Sequence, residues 1–140
     1  MYKYLHTVEA MSRINPQLLE NLSIEVVMYD ENEGQIPHVH VYHDKTKDKR
    51  NCSVVRLDKA EYSTHHGEPV KLNKQQKRQF VQVMSTVWPK HFVETSTGVR
   101  PATGYEYCVT TWADAFEHGS YDKFKLDENG VPVMPDYEAL

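Results

Sequence analysis

No stretch of this sequence approaches the run of about 20 apolar residues that a bilayer crossing requires. Its first residues also lack the apolar core of a secretory signal. The expectation is a cytoplasmic protein with no membrane partner. Cysteine is scarce, with only Cys52 and Cys108 among 140 residues. Two thiols without ligand-type spacing imply neither a disulfide framework nor a cysteine-rich zinc module, and both read as reduced. Internal repeats and low-complexity tracts are absent as well. The Asp-, Asn- and Gly-rich stretches 30–34 and 127–130 lack the full ligand pattern of a calcium loop and read as turns.

What is present fits one soluble domain. The length is close to the common domain size, and the 39% hydrophobic content leaves a large polar surface. Charge is unevenly spread. Residues 1–90 carry 13 Lys and Arg against 11 Asp and Glu, whereas residues 91–140 carry 3 against 9. An acidic C-terminal portion of this kind either folds over a basic surface or repels nucleic acid from it.

Local patterning predicts an α+β fold. Tyr4, Val8 and Met11 recur at helical spacing, and Asn15 with Pro16 reads as a helix start, so one or two short helices are expected first. "SIEVVMY" and "HVHVYH" are β-branched runs on either side of the 30–34 turn and predict a hairpin. "NCSVVRL" adds a third strand, and residues 60–72 are expected to supply a fourth. From Lys74 to Trp88 the apolar residues Phe80, Val83, Met84, Val87 and Trp88 fall at i, i+3, i+4, i+7 and i+8. That stripe predicts one long amphipathic helix over about 74–88, capped by Asn73, ended by Pro89 and packed on one face of a mostly antiparallel sheet of three to five strands. Further on, "YEYCV" reads as a short strand. Thr111 and Asp114 stand at capping-box spacing before a short helix that stops at Gly119. Residues 1–126 form the expected domain, and 127–140 an arm or flexible tail.

The chemistry-bearing residues gather on the second strand. With side chains alternating along it, His38, His40, Tyr42 and Asp44 share one flank while Val39 and Val41 face the core. Histidines at i and i+2 can turn onto one metal ion, which makes a divalent metal a candidate cofactor. The remaining ligands would come from His65, His66, His91, His118 or a carboxylate. Paired imidazoles can instead divide acid and base roles near neutral pH, as in a metal-independent ribonuclease. The bland alternative is a polar outer flank that fixes the hairpin register.

A second candidate is the start of the long helix. Lys74, Lys77 and Arg78 stand there, with Lys71 just before, where the helix dipole disfavours cations. A bound phosphate would use both the lysines and the free amides. Lys45, Lys47, Lys49 and Arg50 would extend such a basic strip toward nucleic acid.

The stretch "IEVVMYDENEGQIPHVHVYHD" resembles a small bacterial family of unknown function. Its hallmark is a strand ending in Met-Tyr, a polar turn, and Pro-Pro-His-Phe-His-Val. Met28, Tyr29, Pro37, His38, His40 and Val41 match, while Ile36 replaces the first proline, Val39 replaces the phenylalanine, and the turn is longer. The resemblance runs over about residues 24–88. It implies a compact α+β unit of the kind encoded in toxin-antitoxin-like gene pairs or mobile elements, and it carries no catalytic activity.

Together these readings predict a small regulatory or interaction protein that binds a macromolecular partner. A protein is the first choice, nucleic acid the second, and a homodimer a further candidate. The competing expectation is a histidine-dependent hydrolase or nuclease, metal-assisted or not. Expected binding residues are His38, His40, Tyr42, Lys74, Lys77 and Arg78, with His38 and His40 as metal ligands. Tyr105, Tyr107, Trp112, Phe116, Tyr121 and Phe124 supply aromatic surface either to that flank or to a partner.

Overall fold

The β-branched residues of the central hairpin build a sheet, and among the other described residues a second sheet and two α-helices form. A computed structural model of the chain describes residues 2–5, 12–14, 21–28, 36–44, 51–64, 67–116 and 120–140. Among them the elements run β1 (Lys3–Tyr4), β2 (Ser12–Arg13), β3 (Glu25–Met28), β4 (His38–Tyr42), β5 (Cys52–Arg56), α1 (Lys74–Ser85), β6 (Val87–Thr95), β7 (Gly98–Thr103) and α2 (Gly104–Phe116), with a 3-10 turn at Tyr137–Ala139. The fold is α+β. The expected single sheet is two antiparallel sheets, one of four strands in the order β2-β3-β4-β5 and one of three in the order β1-β6-β7.

The expected hairpin is in place, with Val26 opposite Val41 and Val27 opposite His40, and β5 extends it with Val55 opposite Val39. Alternation then sorts the side chains. Val26, Met28, Val39, Val41 and Val55 enter one core cluster together with Phe80, Val83 and Met84 of α1. Where a fourth strand was expected after β5, the described residues show a single bridge, Tyr62 to Val55. Of the early helices, the described residues show the short strands β1 and β2, while Val8, Met11, Asn15 and Pro16 fall outside the described residues.

Helix α1 starts where expected. Asn73 accepts from the Gln76 amide and Gln76 Oε1 accepts from the Asn73 amide, which closes a capping box. It ends three residues earlier than the stripe suggested, because Thr86 takes an extended backbone. The next residues begin β6, with Val87 opposite Thr103 and Trp88 opposite Ala102. Trp88 still enters the core cluster, from a strand, whereas Val87 is 48% exposed. The main neighbours of α1 are α2 and the 3-10 turn.

Residues 104–116 are one helix rather than a strand followed by a helix. Thr103 and Glu106 form its capping box, about two turns before the pair the sequence suggested. The Glu106 amide donates to Thr103 Oγ1 and the Thr103 amide to Glu106 Oε1, each at 3.1 Å. Thr111 instead donates to the Tyr107 carbonyl from within the helix. Where α2 begins, Gly104 meets α1 closely, since a Cβ there would lie 2.2 Å from the Val83 carbonyl oxygen.

Glu106 also joins α2 to the smaller sheet. It is buried, receives both terminal nitrogens of Arg100 from β7 at 2.7 and 2.8 Å, and accepts from the Tyr2 hydroxyl at 2.9 Å. Burial alone would raise its carboxyl, but the Arg100, Thr103 and Tyr2 hydrogen bonds outweigh that and hold it below its usual value. The C-terminal segment expected as an arm is tied down. Tyr137 is buried and donates to the Arg56 carbonyl, and Lys77 Nζ donates to a main-chain oxygen of Leu140 at 2.6 Å. The 127–130 turn is present, with Asp127 Oδ1 accepting from the Asn129 and Val131 amides and Gly130 at φ +77°.

Two expected outcomes follow from these contacts. Gly104→Ala forces α1 and α2 apart and costs about 3 kcal/mol. Gly98→Ala, at φ +125° but with open space around it, costs about 1 kcal/mol. Urea denaturation of both variants measures the difference. Arg100→Met leaves the Glu106 carboxylate uncompensated and costs about 2 kcal/mol at neutral pH. A carboxyl with a depressed folded pKa adds stability above its unfolded pKa and loses it as pH falls through the folded one. The gap between Arg100→Met and wild type therefore narrows in acid, which denaturation curves across pH 2 to 7 would show, about the range over which carboxyls titrate.

Candidate functional site

Two surfaces compete for the role of functional site, one on each sheet. The first is the flank of the four-stranded sheet turned away from the core. Strand register places Glu25, Val27, His38, His40, Tyr42, Cys52, Val54 and Arg56 on it together. The expected geometry of β4 holds, since Val39 and Val41 are fully buried while His38 and His40 are half-buried on the opposite side. Their rings lie 5.2 Å apart, centre to centre. Part of this flank is closed. Tyr42, expected as a binding residue, is only 4% exposed, and Glu25 and Val27 are buried beside it.

His38 Nδ1 lies 2.7 Å from the Ile36 carbonyl oxygen. A carbonyl can only accept, so Nδ1 carries the proton and the neutral ring keeps its lone pair on Nε2. His40 Nδ1 lies 3.7 Å from Cys52 Sγ, a diagonal neighbour on β5. This cysteine was missed as a site residue because its nearness depends on register, which β5's sequence does not state. Burial pushes the Cys52 thiol up to about 11, so at neutral pH it is protonated and is no activated nucleophile. Opposite His38, Arg56 holds Asp58 through two hydrogen bonds of 2.9 and 2.6 Å, which occupies its guanidinium within β5 and the loop after it. His43 turns the other way, within 2.7 Å of Ser53 Oγ, and burial lowers its pKa.

Of the other expected ligands, only His91 is among the described histidines. His91 packs edge-on or tilted against Trp88 and Tyr107, at ring separations of 4.7 and 4.9 Å. His65, His66 and His118 lie outside the described residues. No group of three His, Cys, Asp or Glu side chains suited to a metal ion occurs among the described residues. The basic helix start is likewise built differently from the expectation. Its Gln76 amide is bonded by Asn73, and Lys77 reaches the C-terminal segment. Lys74 and Arg78 are exposed, and Lys45, Lys47, Lys49 and Arg50 lie outside the described residues. Of the aromatic residues, Tyr105, Tyr107, Trp112 and Phe124 are core rather than surface, Tyr121 packs on Tyr2, and the Phe116 side chain lies outside the described residues.

The second surface is the outer face of the three-stranded sheet. Register places Lys3 opposite Glu94, Pro101 opposite Phe92, Val99 opposite Glu94 and Val87 opposite Thr103, and the Leu5 amide bonds the Phe92 carbonyl. Lys3, Leu5, Val87, Phe92, Glu94, Val99, Pro101 and Thr103 thus project to one side. Tyr2, Trp88, Val93, Thr95 and Ala102 project to the other and are buried. The outer side is open, with Leu5 40% and Val99 58% exposed. No sequence signal marked it, because its apolar residues come from three separate stretches of the chain and meet only through pairing of β1, β6 and β7.

No family model, curated protein or solved structure matches the chain. No helix among the described residues is long and apolar enough to cross a membrane.

The raised Cys52 thiol gives a direct expectation. Alkylation by iodoacetamide is slow at neutral pH and rises toward a midpoint near 11 in the folded protein. A midpoint close to the ordinary thiol value, read by mass spectrometry of the Cys52 peptide, would instead mark a reactive cysteine.

Proposed function

We propose that the chain is a small cytoplasmic regulatory or interaction protein, of a toxin-antitoxin or mobile-element type, that acts by binding a macromolecular partner. One observation carries this reading. The outer face of the three-stranded sheet sets Leu5, Val87, Phe92, Val99 and Pro101 on one side, with Lys3, Lys90 and Glu94 as charged residues among them. Contiguous exposed apolar surface on a soluble domain is unfavourable in water and is characteristic of contact sites. The partner is a protein rather than a nucleic acid, because two lysines, Lys3 and Lys90, set against Glu94 offer no extended cluster of cations for a phosphate backbone. The toxin-antitoxin or mobile-element type rests on the resemblance over residues 24–88 alone, which takes in only Val87 of this face and which no family model matches.

A second reading is favoured by the His38 and His40 pair, 5.2 Å apart on the other sheet. It makes the chain a histidine-dependent hydrolase or nuclease, with or without a divalent metal. The protonated Cys52 thiol beside the pair weighs against a cysteine nucleophile and leaves only the imidazoles for acid-base work.

In-cell photocrosslinking separates the two readings. A photoreactive residue at Val99 is expected to give a discrete protein adduct, and one at exposed Lys123 none. RNA cleavage and metal content are expected to be the same in wild type and the His38→Ala/His40→Ala variant. No adduct from Val99, together with RNA cleavage that the double variant loses at an unchanged melting temperature, would reverse the proposal.

A further inference from the structure

We propose that Asn129 is a site of spontaneous, one-way covalent modification, deamidation through a succinimide ring, and that Asp127 sets its rate by holding the attacking amide in a closed turn.

Asn129 is the only asparagine of the sequence that glycine follows. Glycine has no Cβ, so nothing on its own side chain shields the Gly130 nitrogen from the neighbouring carboxamide. The Asn129 side chain is exposed to water. In the reaction hydroxide takes the Gly130 amide proton, and the nitrogen bonds to Asn129 Cγ. The Cγ–Nδ2 bond breaks, and ammonia leaves with a proton from water. A water molecule then opens the ring at one of its two carbonyls. Opening at the side-chain carbonyl leaves aspartate, whereas opening at the main-chain carbonyl leaves isoaspartate, whose main chain is one carbon longer.

The folded turn opposes the first step. Three successive amides donate to Asp127, that of Gly130 to its main-chain oxygen at 3.0 Å, and those of Asn129 and Val131 to Oδ1 at 2.8 and 3.0 Å. The nitrogen that must attack is thus hydrogen-bonded and fixed in direction, and the carboxylate beside it disfavours the amide anion. Reaction requires the turn to open. Opening one exposed turn costs less than unfolding the domain, so conversion is slow in the folded chain but not abolished. The turn also closes a short hairpin, in which the Asp127 amide donates to the Val131 carbonyl at 2.9 Å and the Val133 amide to the Lys125 carbonyl at 2.8 Å. A longer main chain at 129 breaks that register and releases both bonds, while Tyr137 further on stays held in the core.

Incubation of the whole protein at neutral pH, followed by mass spectrometry of the tryptic peptide after Lys125, tests this. Wild type is expected to gain one dalton at Asn129 slowly when folded and much faster when unfolded in urea. Asp127→Ala removes the charge and both hydrogen bonds to Oδ1, and is expected to speed conversion of the folded chain by about tenfold or more. Asp127→Asn keeps an acceptor oxygen without the charge and is expected to fall between, and Asn129→Gln to show no gain at this site. Hydrogen exchange of the Val133 amide is expected to quicken in the isoaspartate form. No conversion even in the unfolded chain overturns the site itself. Conversion as fast folded as unfolded overturns the control by the turn, and so does an Asp127→Ala variant of unchanged melting temperature that reacts no faster than wild type. If Asp127→Ala does not fold, Asp127→Asn decides the same point by the same comparison. Unchanged exchange at Val133 overturns the effect on the hairpin.

Discussion

The buried Glu106 carboxylate is the constraint on which the smaller half of the structure depends. It sits at the first turn of α2, caps that helix, and receives Arg100 from β7 and Tyr2 from the start of β1. Taking a carboxylate out of water is costly, and it is tolerated here because its oxygens are met by three donor residues, Arg100 and Thr103 of β7 and Tyr2 just before β1. The same contacts decide which side of the three-stranded sheet is covered. Val93, Ala102 and Tyr2 are pressed inward toward α2, so the alternate residues of every strand turn outward. The open apolar face is thus a geometric result of where the helix is anchored.

The two sheets differ in how they treat their outer sides. On the four-stranded sheet the outer flank is polar in sequence yet partly closed, with Glu25 and Tyr42 buried next to half-buried histidines. On the three-stranded sheet the outer side is apolar and open. A hydrogen-bonding flank under cover and a hydrophobic one in water reverse the usual arrangement. That reversal is why the second surface, rather than the histidine pair, carries the functional reading.

Much of the first sheet was legible from its residues. The β-branched runs of β3, β4 and β5 alternate regularly, and the two valines of β4 fixed the side on which His38 and His40 emerge. The start of α1 was legible too, because Asn73 and Gln76 are close enough along the chain to signal one another. Its end was not. Val87 and Trp88 continue the helical stripe by spacing alone, and only Thr86's extended backbone and the pairing with β7 turn them into strand. Within α2, "YEYCV" looked like a strand because Tyr, Cys and Val favour sheets, yet the anchoring of Glu106 and the close passage of Gly104 override that preference. Long-range register was the least legible property. It brings Cys52 to His40 and Leu5 to Phe92, and no local pattern records either meeting.

Pro101 gives the smaller sheet a further property. It sits in the interior of β7, which is an outermost strand, and proline has no amide hydrogen to offer a neighbouring chain. An unguarded border of that kind would invite another strand to zip alongside and propagate into fibrils. With the ladder interrupted there, extra chains are steered away from lateral growth, and a molecule with greasy patches on show can stay in solution instead of templating aggregates.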